Sequence, residues 1–262
     1  MSSLSEKRER SEKTEWMKKP ERSENLKQPE GPERSGNLEQ PEKPEFKAWP
    51  ENFGRWAEEA FEGCDNGRRL LGNLLVLRRY VNTLRQGLER KGKEISLGLR
   101  RAEAILWDLL EGKADAAEAE DFSNDLYYCY YIDSAGDREE LPEPFYTEYF
   151  GDGRPDAYEW MAVEWAAGLL LQMVSMAGGR LDFDDFEDCE HVDFYGVHLL
   201  TDQLEVIAKE GSILPFQGIA QAVLADMARA RRARPEEYAP LREEYQKYAI
   251  MPEEYAPRLL EY

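Results

Sequence analysis

The sequence predicts an all-α protein, a single globular helical domain over about 46–262 behind a disordered tail over 1–45. Three observations predict it. Apolar residues recur three and four apart through successive segments, the pattern of helices with one buried face. Glycines and prolines fall between those segments, where helices stop and start. Finally, composition changes sharply near Phe46.

Ahead of that change, residues 1–45 hold only Leu4, Trp16, Met17, Leu26 and Leu38 as large apolar side chains. A segment so rich in Glu, Lys, Arg, Ser, Pro and Gln buries too little apolar surface to offset the entropy of ordering. It contains a repeat: Pro20-Glu-Arg-Ser-Glu-Asn-Leu-Lys-Gln-Pro-Glu30 recurs as Pro32-Glu-Arg-Ser-Gly-Asn-Leu-Glu-Gln-Pro-Glu42. Two polar copies make no solenoid, so they read as a replicated linker.

Trp49-Pro50-Glu51-Asn52 reads as a helix start, followed by Phe53, Trp56, Ala60 and Phe61 at helical spacing up to Gly63. Next, Leu70, Leu74, Leu77, Val81, Leu84 and Leu88 form a seam stepping alternately four and three, and Arg68, Arg69, Arg78, Arg79, Arg85 and Arg90 lie mostly off it. Gly92 breaks that run. Ile95, Leu99, Ala102, Ile105, Leu106 and Leu109 build a second apolar face ending at Gly112. The short link predicts an antiparallel helical hairpin over 66–110. Ala114–Glu120 favours helix by propensity. Leu126–Ile132 (LYYCYYI) fits either a strand or a buried helix, and Asp133 to Pro155 reads as loop.

Tyr158–Met176 predicts a central helix, apolar nearly all round except for a polar stripe of Glu164, Gly168, Gln172 and Ser175. Val197, Leu200, Leu204 and Ile207 mark another helix, closed by Gly211. A helical cap over 212–262 follows: Pro215 opens Phe216–Ala233, then Pro235-Glu-Glu-Tyr-Ala-Pro240 recurs as Pro252-Glu-Glu-Tyr-Ala-Pro257.

The charge is segmented. Net charge is -20, yet residues 111–205 carry 25 acidic side chains against 4 basic, residues 66–110 carry 10 basic against 4 acidic, and the first fifty are balanced. Such acidity disfavours direct nucleic-acid binding, which needs a basic surface. No long uncharged apolar run exists: Ala157 to Ala177 is interrupted by Glu159, Glu164 and Gln172, so no membrane span is expected. The N-terminus has no signal-peptide core, and the three cysteines, Cys64, Cys129 and Cys189, are widely spaced. A cytoplasmic protein with free thiols is expected.

No catalytic residue, cofactor or metal is expected, because phosphate-binding glycine loops and nucleophile motifs are absent. Cys189, His191 and His198 invite a reading as the site of a metal-dependent hydrolase, but their spacing matches no zinc motif. Glu164 invites a reading as a buried general acid or base; the plainer alternative is a stripe facing solvent or a polar neighbour. The arginines of 66–110 either bind phosphate, pair with the acidic middle, or stay solvated.

The expected function is that of a non-enzymatic inhibitor or immunity factor. An acidic, aromatic-bearing surface would occlude a basic, nucleic-acid-handling site on a partner protein, in imitation of nucleic acid. Its candidate contacts are Asp182, Asp184, Asp185, Glu187 and Asp188, with Tyr127, Tyr128, Tyr130, Tyr131, Tyr146 and Tyr149. The alternative is a scaffold or assembly subunit forming a homo-oligomer through the 70–88 seam.

Overall fold

A computed structural model describes residues 55–56, 58–136, 141–151, 155–196, 200 and 214–249. The chain divides into two units, Met1–Lys43 and Pro44–Tyr262, and every described residue belongs to the second. All regular structure among the described residues is helical.

Helix α1 spans Asn66–Arg90, and the Asp65 carboxylate caps it by accepting the Arg68 N–H at 2.8 Å. The seam from Leu70 to Leu88 is at most 3% exposed at each of its six positions. Its neighbours are helices of the same chain: α2 (Leu97–Leu110), α5 (Ala157–Met176) and α6 (Leu214–Arg232). The seam is therefore buried within the fold of its own chain. Ser96 caps α2 by accepting the Leu99 N–H, and α1 and α2 pack on each other as the expected hairpin.

A 3-10 turn at Ala116–Ala119 leads into α3, Glu120–Ala135. The LYYCYYI segment is helical. Leu126, Cys129 and Ile132, three apart, are 0%, 0% and 6% exposed, so the helical period of burial overrides the strand preference of tyrosine. The loop expected over 133–155 is corrected at both ends. Asp133, Ser134 and Ala135 complete α3, and Phe145–Phe150 forms α4. Tertiary packing holds that short helix, with Tyr146 buried and its ring 5.3 Å from Phe150 and 6.5 Å from Trp160.

Helix α5 is the centre: 13 of its 20 residues are buried, and it packs against α1, α2 and α3. Ile219, Val223, Met227 and Ala230 bury one face of α6 against α1. After a 3-10 turn at Pro235–Glu237 come α7 (Tyr238–Glu244) and a last 3-10 turn at Tyr245–Lys247. Of the helix expected over Val197–Ile207 only Leu200 is described, helical and 3% exposed. Residues 1–54 and the second Pro-Glu-Glu-Tyr copy at Pro252 lie outside the described residues. No helix among the described residues is long and apolar enough to cross a membrane.

The C-terminal turns are pinned to α1 and α6 by one buried polar node. Arg79 grips Asp226 with two bonds, Nε to Oδ2 at 2.5 Å and Nη2 to Oδ1 at 3.0 Å. The Tyr245 hydroxyl donates to the same carboxylate at 2.6 Å. Burial, then that bond, push the Tyr245 hydroxyl up to about 12. Asn82 donates to the carbonyls of Tyr245 and Tyr248 at 2.9 and 2.8 Å, and the Arg79 guanidinium lies 5.1 and 5.0 Å from their ring centres. Removing one charge of such a pair strands the other in a low-dielectric site. Asp226→Ala should therefore lower unfolding stability by about 3–5 kcal/mol, read as a shifted urea midpoint.

Candidate interaction surface

The acidic segment Arg180–Tyr195 contains a single 3-10 turn, Asp184–Phe186, so its backbone groups need partners from elsewhere. Side chains of α3 and α1 supply them. Asn124 of α3 accepts the Asp182 N–H at 3.0 Å and donates to the Arg180 carbonyl at 3.1 Å. Glu120 accepts the Arg180 N–H at 3.0 Å. On α1, Asn66 accepts the Val192 N–H at 3.1 Å, Arg69 donates to the Val192 carbonyl at 3.3 Å, and Asn73 donates to the Asp193 carbonyl at 3.0 Å.

The polar stripe of α5 completes the track. Ser175 accepts the Cys189 N–H at 3.2 Å, and Gln172 accepts the Asp193 N–H at 3.0 Å. At Gly168 an added Cβ would sit 2.7 Å from the Tyr195 ring, and at Gly196 it would sit 2.0 Å from the Trp165 ring. Both glycines are required by close approach. At the end of the stripe, Glu164 stands beside three tyrosines. Burial, then the Glu164 charge and the bond Tyr130 donates to it, raise the Tyr130 hydroxyl. Burial also raises Tyr195, which is hydrogen-bonded to Tyr127. The stripe thus faces a polar neighbour, the plainer of the two alternatives.

This docking brings most of the candidate residues together. Tyr127 meets Phe183 at 4.6 Å and Phe186 at 5.2 Å, and its other ring neighbour is Tyr130 at 5.8 Å. Asp182, Asp184, Asp185, Glu187 and Asp188 are all exposed beside them, and Tyr131, at 43% exposure, stands out from α3. Tyr128 is half-buried. Tyr146 and Tyr149 lie on α4. Tyr146 is only 3% exposed, and Tyr149 packs on Phe122 and Phe145 at 5.2 and 4.5 Å. Tyr146 turns inward to Phe150 and Trp160, and Trp160 also meets Tyr130 at 6.3 Å.

Two contributors were not singled out from sequence. Asp121 and Asp125 sit four apart on α3, one face of a helix. Burial, then the charges of Asp121 and Asp182, raise the Asp125 carboxyl. The signal was present in the spacing and became readable once LYYCYYI is helical.

Among the described residues, most cations of α1 and α2 pair away from this face. Arg68, Arg78, Arg79 and Arg100 pair with Asp65, Glu103, Asp226 and Glu94, all outside 111–205. Asp182 meets only exposed Arg180, at 3.5 Å, and such a surface pair contributes little. Asp121, Asp125, Asp184, Asp185, Glu187 and Asp188 make no salt bridge among the described residues. As for a metal, no group of three ligating side chains occurs among the described residues. Cys189 gives its N–H to Ser175 and His191 pairs with Asp193 at 2.9 Å, while His198 lies outside the described residues.

Two stability measurements check this description. Gly168→Ala drives a methyl group into the Tyr195 ring, and overpacking of this kind costs about 1–3 kcal/mol. Hydrogen exchange should quicken across 189–195, where the displaced ring lets the segment lift. Asp125→Asn should act the other way. A carboxyl whose pKa is raised by folding destabilises the fold above that value and is neutral below its unfolded value. The variant should therefore melt higher than the parent at pH 7, with the gain vanishing once acid protonates the carboxylate in both states. No protein-family model, curated protein or solved structure matches this chain.

Proposed function

We propose that this is a non-enzymatic binding protein whose acidic, aromatic-bearing face covers a basic, nucleic-acid-handling site on another protein, as an inhibitor or immunity factor would. One observation carries the reading. Tyr127 packs on Phe183 and Phe186, which fuses α3 and the acidic segment into one face, and among the described residues the salt bridge of its exposed carboxylates Asp121, Asp125, Asp182, Asp184, Asp185, Glu187 and Asp188 is the one from Asp182 to exposed Arg180 at 3.5 Å. Like charges held together weaken a fold, and the Asp125 carboxyl, raised first by burial, is raised further by the charges of Asp121 and Asp182. A partner that supplies cations relieves it, so binding and charge neutralisation are coupled.

Rigidity supports the same reading. An acidic loop free to move would lose conformational entropy on docking, whereas one already held by Asn124, Gln172, Asn73 and Ser175 loses little. Carboxylates fixed in position among aromatic rings are also what a groove built for phosphates and bases accepts.

The test is capture from cell extract followed by competition. The protein should retain a basic partner that added duplex DNA or RNA releases. Neutralising Asp182, Asp184, Asp185, Glu187 and Asp188 to Asn and Gln should abolish retention at physiological salt. A partner that survives neutralisation, or that nucleic acid fails to displace, would show that the acidic face is not the docking site.

A further inference from the structure

We propose that Met176 is an oxidation site, and that a peroxide acting on its thioether loosens the segment around Val192, making the C-terminal end of α5 a reversible redox switch. The switch is independent of the binding role proposed above.

The ground is a short chain of contacts. Met176 closes α5 and Asn66 opens α1. The Asn66 side chain joins both to the irregular segment. Its Nδ2 donates to the Met176 Sδ at 3.2 Å, and its Oδ1 accepts the Val192 N–H at 3.1 Å. The thioether therefore orients the carboxamide that satisfies the backbone donor of a buried residue. One position earlier, Ser175 accepts the Cys189 N–H at 3.2 Å, so the same helix end holds the segment at two points. Thioether sulfur is a weak acceptor, and a carboxamide whose orientation rests on it turns easily.

Met176 is half-buried, unlike the enclosed Met227, so its side chain is open to a small oxidant such as hydrogen peroxide. A sulfur lone pair attacks one peroxide oxygen. The S–O bond forms as the O–O bond breaks, a proton passes to the departing oxygen, and water leaves. Sulfur is oxidised by two electrons and the peroxide is reduced by two. The product is a polar sulfoxide in place of a flexible apolar thioether. An oxygen on the side of Asn66 fills the 3.2 Å gap and pushes the carboxamide back. An oxygen on the other side draws electron density from the sulfur and leaves it a poorer acceptor. Either epimer disturbs the bond to Asn66, and the Val192 N–H loses its fixed acceptor. Arg69 still holds the Val192 carbonyl, and Asn73 and Gln172 still hold the Asp193 backbone, so the change is local. Thiol-dependent sulfoxide reductases return the sulfoxide to thioether, which makes the switch reversible.

Hydrogen peroxide treatment of the full chain tests the inference, with sulfoxide located by peptide mass and amide exchange followed by NMR. Sulfoxide at Met176 should speed exchange of the Val192 amide by roughly threefold to tenfold, the loss of one hydrogen bond. Methionine sulfoxide reductase with dithiothreitol should restore the slow rate. Dithiothreitol alone, which reverses cysteine disulfides, should not. Met176→Leu should exchange at a rate that peroxide leaves unchanged. Asn66→Ala should show the fast rate before any treatment, again without a response to peroxide. Treated protein that gains no sulfoxide at Met176 would overturn the inference, as would sulfoxide there with unaltered Val192 exchange. A response that persists in Met176→Leu, or that dithiothreitol alone reverses, would assign the effect to another residue and overturn it as well.

Discussion

The backbone of Arg180–Tyr195 governs the arrangement of this molecule. A long irregular segment cannot satisfy its own N–H and C=O groups, and burying them unpaired costs about 1–3 kcal/mol each. Here side chains of regular helices stand in for a neighbouring strand. Asn124 contacts one peptide stretch through both ends of its carboxamide, and Asn73 and Gln172 bracket Asp193 from two different helices. Asn73 is itself fixed by the Trp165 indole N–H at 3.2 Å, so the core orients the clamp. Everything at the surface follows. Phe186 is buried, Phe183 meets Tyr127, and five carboxylates are left pointing outward.

Charge is divided by the same logic. Arg69, Arg78 and Arg79 of α1 are partly enclosed where an acid, a carbonyl or a ring can satisfy them, and the C-terminal turns are built around Arg79 and around Arg242 of α7. Arg79 gathers Asp226, Tyr245 and Tyr248, and Arg242 ties α7 back to Asp108 and Glu111 of the α2 end. Within 121–188, Asp133 and Glu159 are buried, whereas Asp121, Asp125, Asp182, Asp184, Asp185, Glu187 and Asp188 are at the surface. A chain with this much negative charge gains solubility and steering from it, at the expense of some self-repulsion.

Much of the helical layout was legible in the residues. The seam of Leu70 to Leu88, the second apolar face and the near-uniformly apolar run of Tyr158–Met176 each announced a helix and its burial, because a period of 3.6 leaves its mark on any buried face. Less legible were segments whose state depends on contact. LYYCYYI carries strand-favouring tyrosines, and only the burial of Leu126, Cys129 and Ile132 against neighbouring helices decides for helix. Phe145–Phe150 is too short to hold itself and owes its turns to the packing of Tyr146 and Phe150 on Trp160. The candidate site was half legible. The acidic run and the α3 tyrosines were visible in sequence, whereas the inward turn of Tyr146 and the inclusion of Asp121 and Asp125 required the helix directions.

Sequence alone determined the class of fold, the segmentation of charge and the polar stripe of Glu164, Gly168, Gln172 and Ser175, since each is a matter of spacing or composition. Tertiary structure decided what the stripe is for. It is the bed on which Cys189–Tyr195 lies. It also decided the fate of the arginines, and through them of the acidic middle. Whether opposite charges on one chain meet depends on helix orientation and distance, quantities that fall outside any one-dimensional pattern.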